Sequence, residues 1–278
     1  MSITGAARVA GIMGWPVSHS RSPRLHGYWI AKHGLDAAYV PFKVEPDRIE
    51  AALRAFPVLG FAGCNLTLPH KERAMTVVDA VDETAQRMGA MNTLVVRQDG
   101  SLFGRNTDGY GFISALRQDA PGFDAAAGPA MVLGAGGAAK AIVTTLVDAG
   151  APAVRIANRT RARAEALATA LGAANVEVVD WAARTDLDGL SLLVNATSLG
   201  MQGQPPLELD LARLPPEAVV NDAIYTPLET GLLTAARARG NRTVDGLGML
   251  LHQAVPAFEA WFGIRPEVTP ELRAHVLG

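Results

Sequence analysis

The sequence has little of what marks secreted, membrane-bound or nucleic-acid-binding proteins. It has one cysteine, Cys64, among 278 residues. No disulfide can therefore form within the chain, and a reducing compartment is expected. There are 25 lysines and arginines against 27 aspartates and glutamates, which gives a formal net charge of −2 and no long basic run. Nucleic-acid and membrane-surface proteins usually carry a basic excess, so we expect neither kind of partner.

Apolar runs of membrane length and metal-binding motifs are also missing. The uncharged stretch 189–207 contains Asn, Ser, Thr, Gln, Gly and a Pro pair, whereas a spanning helix needs about 20 mostly apolar residues. The first 16 residues hold one charge, Arg8, and no continuous apolar block, which is not typical of a signal peptide. The six histidines show no H-E-x-x-H or Cys/His spacing. The sequence therefore predicts a cytoplasmic protein with no metal site.

What the chain does have is an alternation of short apolar runs with amphipathic stretches. Hydrophobic residues make up 49% and charged residues 19%, enough for a real core, and the length suggests about two domains. Ser22 is expected to cap a helix that continues with Pro23, and a further helical segment starts near Gly246. Asp99-Gly100 predicts a hairpin over 92–108. Further strands are predicted at 8–14, 37–44, 61–68, 153–160, 190–198 and 218–225. This alternation predicts an α/β protein with two domains and a parallel sheet.

The segment GAGGAA, residues 134–139, fits the dinucleotide fingerprint G-x-G-x-x-A. It follows an apolar strand and precedes an apolar helix, as the fingerprint requires. Glycines there permit a tight turn and let backbone N–H groups approach a pyrophosphate at the helix N-terminus. The alternative is an ordinary turn between a strand and a helix. The predicted cofactor residues in this turn are Gly134, Gly136, Gly137, Ala138 and Ala139.

The next strand ends without the acid that NAD-binding folds usually place there to bind the ribose 2′-hydroxyl. Instead the sequence offers Asn158, Arg159, Thr160, Arg161 and Arg163. Guanidinium groups bind a phosphate, which a carboxylate would repel. This favours NADP(H), with Arg161 as the weakest member because these positions cannot all face one ligand. The alternative is a solvated basic helix start.

Two polar clusters precede this region. In SHSRSPRLH, the hydroxyls of Ser18, Ser20 and Ser22 stand just before a helix and suit a small carboxylate. The alternative is that Ser22 only caps its helix. Lys71 in CNLTLPHKE and Asp108 in NTD both follow strands, where α/β sheets place their ligand crevice. Together they could form a proton-transfer pair, or an ordinary surface ion pair.

Taken together, these motifs resemble those of the NADP-dependent shikimate dehydrogenases. The matching segments occur in the family's order and span almost the whole chain: SHSRSPRLH, GCNLTLPHK, GAMNTL, GRNTDGYGF, GAGGAAKA, ANRTRARAEAL, NATSLGM, NDAIYTPLETGLL and DGLGMLLHQAVPAF. The resemblance implies reversible, NADPH-dependent reduction of 3-dehydroshikimate to shikimate in aromatic amino-acid biosynthesis. It also implies a substrate domain over 1–108, completed by helices at 245–278, and a Rossmann-type NADP domain over 109–244.

The resemblance further implies a role for each matching residue. Lys71 matches the catalytic lysine and Asp108 its partner. Ser20 and Ser22 match the residues that bind the substrate carboxylate. The residues that match groups binding the ring hydroxyls are Thr67, Asn92, Asp108 and Gln253. Tyr225 and Gly246 match positions near the nicotinamide and the substrate, and Arg159, Thr160 and Arg163 match the clamp on the adenosine phosphate.

Departures from the family pattern are mild. Leu66 and Leu68 replace the commoner β-branched residues beside Thr67, and the third fingerprint position is Ala139. Two alternatives stay open: a quinate/shikimate or aminoshikimate dehydrogenase, and a non-catalytic NADP(H)-binding regulatory protein. The expected partners are a small-molecule substrate and, at most, a second copy of the chain, so that the protein is a monomer or a homodimer.

Overall fold

The computed structural model describes residues 3–278, which form two compact units. The first unit holds the described residues up to Thr107 together with Gln253–Gly278, and the second is Asp108–His252. The strands in chain order are β1 (Arg8–Gly14), β2 (Ala37–Lys43), β3 (Gly63–Leu66), β4 (Ala80–Val81), β5 (Thr93–Val96), β6 (Leu102–Arg105), β7 (Ala130–Leu133), β8 (Val154–Ala157), β9 (Val176–Val179), β10 (Leu192–Asn195), β11 (Val219–Asp222) and β12 (Arg242–Val244).

The helices alternate with these strands along the chain. They are α1 (Ser22–Lys32), α2 (Ile49–Val58), α3 (His70–Arg73), α4 (Glu83–Met88), α5 (Asp108–Asp119), α6 (Gly137–Asp148), α7 (Arg161–Leu171), α8 (Gly231–Ala238), α9 (Gly246–Phe262) and α10 (Pro270–Leu277). Short 3₁₀ turns lie at Pro46–Arg48, Ala74–Thr76, Ala125–Ala127 and Trp181–Thr185. The predicted α/β class is confirmed, and the division between the units falls inside α9.

The first unit is built on a mixed sheet of order β2-β1-β3-β5-β6-β4. Strands β2, β1 and β3 are parallel, β5 is antiparallel to β3, and β5 and β6 form an antiparallel hairpin. On one face, α2 packs Ile49, Leu53 and Phe56 against strand residues that include Cys64 and Leu66. Neighbouring residues of a strand point to opposite faces, so Asn65 points away from this apolar cluster.

An aromatic cluster from α1, β2 and α9 forms the other part of this unit's core. Trp29 is fully buried and packs edge-on against Phe258. Its indole N–H donates to the carbonyl oxygen of Glu267 at 3.0 Å, and that of Trp261 donates to the carbonyl of Leu94 at 2.8 Å. Buried indole nitrogens need such acceptors. The C-terminal segment is therefore held to the N-terminal sheet by both packing and hydrogen bonds.

The second unit has an all-parallel sheet of order β12-β11-β10-β7-β8-β9. This is the doubly wound order of dinucleotide-binding folds, in which the order of the strands reverses where β7 and β10 lie side by side. Alternate residues enter two separate apolar clusters, with Val132 and Val194 in one and Leu133 and Leu193 in the other. A sheet covered on both faces explains why its strands read as continuous apolar runs.

The expectation that Ser22 caps α1 is wrong. Ser22 is already the first helical residue, and the capping position is Arg21, which makes no side-chain cap hydrogen bond. The hydroxyl of Ser20 instead accepts from the backbone N–H of Ser22 at 3.2 Å. The serine that satisfies a free amide at this helix start is therefore Ser20, because its side chain reaches two residues forward, as in other serine turns.

Candidate active site

The carboxyl ends of β1 and β3 lie side by side and carry the segment that contains Lys71. The backbone N–H of Thr67 donates to the carbonyl of Met13 at 3.0 Å. A Cβ on Gly14 would lie 2.5 Å from the Thr67 methyl group, so only glycine fits at the end of β1. Thr67, itself half-buried, is thereby fixed at the sheet edge where α/β folds bind ligands.

Lys71 lies in the short helix α3, whose backbone is anchored on both sides. His70 is buried, and its Nε2 lies 2.9 Å from the carbonyl oxygen of Val44. The carbonyl of Lys71 accepts from the N–H of Met91 at 3.0 Å. Lys71 itself is half-buried. These contacts hold its main chain in place, unlike that of a solvated loop.

The same unit holds a set of buried polar residues from β3, β5, α9 and the residues just before β5 and α5, called here the amide cluster: Asn65, Asn92, Thr93, Thr107 and Gln253. Each is at most 8% exposed. Asn92 is its centre, because its Nδ2 donates to Thr107 Oγ1 at 3.0 Å and to Gln253 Oε1 at 3.2 Å. Its Oδ1 accepts from the Thr107 N–H at 2.9 Å. Two of the predicted substrate residues, Asn92 and Gln253, are thus brought into direct contact.

Ser20 and Ser22 stand at the start of α1, where Ser22 is buried and Ser20 is half-buried. The helix start lacks a side-chain cap from Arg21. The first N–H groups of a helix carry partial positive charge and attract anions. The arrangement of two hydroxyls at such an end is suited to a carboxylate.

In the second unit, the predicted glycine turn joins β7 to α6. Gly134 has φ +115°, a conformation that favours glycine, and a Cβ there would lie 2.8 Å from the carbonyl oxygen of Ala196. Gly136 stands at the N-cap of α6 without a side-chain cap, and a Cβ on Gly136 or Gly137 would meet nothing within 4 Å. Ala139 is fully buried against the sheet, and Ala138 is half-buried.

These features fit a dinucleotide. The space in front of Gly136 and Gly137 is open, and the uncapped N–H groups of α6 are donors for a pyrophosphate. After the next strand, β8, the side chains of Arg159, Thr160 and Arg163 are hydrogen-bond donors of the kind that bind the extra phosphate of NADP.

After β8, two arginines differ in what they contact. Arg161 is held by Glu165 at 2.8 Å and Asp180 at 2.6 Å. Within residues 3–278 no ion pair involves Arg159 or Arg163, and both side chains are exposed. The side chain of Asn158 donates to the carbonyl of Thr160 at 2.8 Å, which shapes the turn. Arg159 and Arg163 are therefore available to a phosphate, whereas Arg161 is already neutralised by acids.

Asp222 at the end of β11 is a functional-site candidate that the sequence reasoning missed. It is fully buried and accepts from Thr230 Oγ1 at 2.7 Å, Asn195 Nδ2 at 3.1 Å and the Ile224 N–H at 3.1 Å. Burial raises the pKa of this carboxyl, while the three hydrogen bonds act in the opposite direction. Asp222 fixes the start of the loop that carries the half-buried Tyr225. The sequence signal that could have identified Asp222 is an acidic residue at the end of an apolar strand.

The remaining predicted residues lie at element ends. Gly246 begins α9, and its N–H donates to the carbonyl of Ile224 at 3.1 Å. Asp108 is the first residue of α5 and belongs to the second unit, whereas Lys71 belongs to the first. The pairing of Lys71 with Asp108 stays a prediction.

The described residues hold neither a metal-binding group of side chains nor a membrane-spanning helix. Between residues 3 and 278 no three histidine, cysteine, aspartate or glutamate side chains are grouped so that they could hold a metal ion. None of the helices in that range combines the length and the apolar character needed to cross a membrane.

Comparison with family models gives three matches along the chain. A model of the shikimate dehydrogenase substrate binding domain matches residues 12–94. A shikimate / quinate 5-dehydrogenase model matches residues 118–198, and a model of the shikimate 5'-dehydrogenase C-terminal domain matches residues 246–270. The matches cover both units.

Whole proteins that are similar to this chain belong to the same family as these models. The shikimate dehydrogenase (NADP(+)) of Paramagnetospirillum magneticum is 60% identical over 276 residues, which are 99% of this chain and 100% of that protein. The solved shikimate 5-dehydrogenase of Thermus thermophilus in complex with NADP(H) and shikimate has a TM-score of 0.85 at 36% identity, covering 97% of this chain and 98% of that one. The quinate dehydrogenase of Corynebacterium glutamicum in complex with NAD has a TM-score of 0.89 at 32% identity, covering 98% and 99%.

Proposed function

Because the chain belongs to the shikimate dehydrogenase family, we propose that it catalyses the reversible, NADPH-dependent reduction of 3-dehydroshikimate to shikimate, a step of aromatic amino-acid biosynthesis. One observation supports this most strongly: the contact between Asn92 and Gln253 builds a buried, polar cluster in the unit that also carries Lys71. A polyhydroxylated ring needs such fixed donors and acceptors.

The first unit is proposed to bind the substrate. Ser20 and Ser22 would donate hydroxyl hydrogen bonds to its carboxylate, at a helix end that favours negative charge. Thr67, Asn92 and Gln253 would bind its ring hydroxyls. From the second unit, we assign Asp108 and Tyr225 to the same substrate by their match to the family pattern.

The second unit, with its doubly wound sheet, is proposed to bind NADP(H). The uncapped start of α6 would hold the pyrophosphate, and Arg159, Thr160 and Arg163 the adenosine phosphate. Gly246 is assigned to the nicotinamide end of the site by its match to the family pattern. When bound, NADPH supplies the hydride that adds to the C3 carbon of the ketone.

In the proposed mechanism, Lys71 donates a proton to the C3 oxygen as negative charge develops there. Proton donation by a positioned side chain typically accelerates a reaction by ~10²–10⁴-fold. Asp108 would accept a hydrogen bond from a substrate hydroxyl and orient Lys71. In shikimate oxidation the same groups act in reverse, so that Lys71 takes the proton from the C3 hydroxyl.

The surroundings of the protein follow from this assignment. We place it in the cytoplasm, as a monomer or a homodimer that needs no nucleic acid or membrane. Burial raises the pKa of the Cys64 thiol and makes it unreactive, so we assign it no part in the proposed chemistry.

Initial rates test this proposal. The purified chain is given shikimate or quinate with NADP⁺ or NAD⁺, and reduced nicotinamide is followed by absorbance. We expect the largest kcat/KM for shikimate with NADP⁺. The absence of turnover with every pair would instead indicate the non-catalytic NADP(H)-binding regulatory protein.

A second candidate function is that of a quinate/shikimate dehydrogenase. It is favoured by the similarity to the quinate dehydrogenase of Corynebacterium glutamicum. Quinate carries an extra tertiary hydroxyl that the pocket around Ser20, Ser22 and Thr67 must admit. A kcat/KM for quinate equal to that for shikimate would establish this second function, and an aminoshikimate substrate in the same panel tests the remaining relative.

A further inference from the structure

Tyr39 is a buried tyrosine of β2 that neither the proposed chemistry nor the family motifs use. It is 7% exposed, and its ring stacks on that of His26 with centroids 4.0 Å apart. The ring also packs against Trp261, at 5.9 Å. Packing alone would be served by phenylalanine, so the buried hydroxyl requires a separate explanation.

That hydroxyl donates to Asn65 Oδ1 at 2.7 Å. Burial raises the pKa of Tyr39 well above its ordinary value, while a hydrogen bond with Ser22 acts in the opposite direction. The hydroxyl therefore keeps its proton and donates it to a residue of strand β3.

The hydrogen bond from Tyr39 determines which atoms of the amide cluster donate and which accept. With Oδ1 of Asn65 accepting from Tyr39, its Nδ2 donates to the carbonyl oxygen of Asn92 and to Thr93 Oγ1, both at 3.2 Å. Thr93 Oγ1 in turn donates to Asn92 Oδ1 at 3.0 Å. A chain of hydrogen bonds therefore runs from the Tyr39 hydroxyl through Asn65 and Thr93 to Asn92, and it fixes the orientation of the Asn92 amide.

We propose that Tyr39 is a positioning residue for substrate binding, whose hydroxyl holds the amide cluster in the orientation that the substrate requires. The inference rests on the proposed function, since it takes Asn92 and Gln253 as substrate-binding groups. Tyr39 does not touch the substrate and acts through Asn65.

The variant Tyr39→Phe tests this, because it keeps the ring and removes the hydroxyl. We expect KM for shikimate to rise about 10-fold, while kcat and KM for NADP⁺ stay within about 2-fold of the wild type. The matched control is Tyr28→Phe on α1, where the half-buried ring contacts His275 and lies outside the amide cluster. Its KM for shikimate should not change.

A second variant, Thr93→Val, keeps the side-chain shape and breaks the same chain of hydrogen bonds, called here the relay, at the step from Asn65 to Asn92. It should also raise KM for shikimate by about 5- to 10-fold. In the double variant the two effects should be strongly non-additive, since both substitutions break one relay. Additive effects would mean that Tyr39 and Thr93 act separately and would overturn the relay.

The outcomes are distinguishable. Tyr39→Phe with a lower melting temperature but an unchanged KM for shikimate would show that the hydroxyl serves packing only, and would overturn the inference. If Tyr39→Phe does not fold, Thr93→Val decides, and an unchanged KM in that variant overturns it as well. A wild-type chain that does not oxidise shikimate contradicts the proposed function itself and removes this inference with it.

Discussion

In the first unit, the polar side chains beside the strand ends are buried and bonded to one another, whereas the second unit offers a glycine turn and exposed arginines. Asn92 is hydrogen-bonded to all four other residues of the amide cluster, but Arg159 and Arg163 are exposed. The substrate side is thus specified by side-chain geometry, and the cofactor side by backbone shape and charge. Substitutions in the two units should therefore change different kinetic parameters.

The largest expected effect is on the chemical step. Lys71→Ala should lower kcat for shikimate oxidation by about 10²–10⁴-fold, because the group that takes the proton from the C3 hydroxyl is lost, while NADPH binding, a property of the second unit, stays unchanged. Steady-state rates and a fluorescence titration with NADPH measure both. Lys32→Ala, an exposed lysine in the last turn of α1, is the control and should behave as the wild type. An unaltered kcat in Lys71→Ala would rule out the catalytic role.

The next effect is on the backbone of the second unit. Gly134→Ala should lower the free energy of unfolding by about 3 kcal/mol and abolish NADPH binding, because of its φ of +115° and the contact with Ala196. Denaturant unfolding monitors the first quantity. Gly136→Ala is the control for stability, since its Cβ would meet open space. Equal stabilities of the two variants would contradict the close approach at Gly134.

A smaller effect separates the two cofactors. Arg159→Ala should weaken NADPH binding by about 10- to 100-fold and NADH binding far less, since a charge-assisted bond to the phosphate is lost. Arg161→Ala is the matched control, because Arg161 is engaged by Glu165 and Asp180. Equal losses for NADPH and NADH in Arg159→Ala would argue against the phosphate clamp.

The smallest effect concerns acid stability and one buried histidine. Burial lowers the pKa of His26 in the first unit from 6.5 to about 3. The unfolded chain therefore binds the proton more readily below pH 6.5, and the stability contribution of His26 is lost as the pH falls toward 3. Between pH 6.5 and about pH 5 this amounts to about 2 kcal/mol.

His26→Phe keeps a ring in the stack on Tyr39 and removes the titration. Its unfolding free energy should fall less steeply with acid than that of the wild type, as measured by urea unfolding at several pH values. His252 in the second unit, whose pKa burial lowers to about 4, should give a smaller effect of the same sign in His252→Gln. The exposed His33 provides the control. Parallel pH profiles for His26→Phe and the wild type would contradict this account.

Much of the fold could be predicted because local sequence and tertiary position agree. The run RVAGIMG predicts β1 at Arg8–Gly14, and the Asp99-Gly100 turn predicts the β5–β6 hairpin; the structure confirms both. Strands β4, β9 and β12 were not predicted. All three lie at the edges of their sheets and are only partly buried, so their sequences lack a clear apolar run.

The cofactor site could be predicted from the sequence more fully than the substrate site. The glycine turn and the arginines are local features of the sequence, so the cofactor residues could be proposed from motif and spacing. The amide cluster could not be assembled in this way, because Asn92 and Gln253 are 161 residues apart and Tyr39 and Asn65 are 26 apart. Only the fold brings such residues together, which is why Tyr39, Asn65 and Thr93 had no assigned role.

The division of roles between the two units is tested most directly by one measurement: steady-state kinetics of NADP⁺ reduction by shikimate in Lys71→Ala and Arg159→Ala, side by side with the wild type. The account predicts that Lys71→Ala loses kcat at an unchanged KM for NADP⁺. It predicts that Arg159→Ala keeps kcat and raises KM for NADP⁺. Loss of the same parameter in both variants would contradict it.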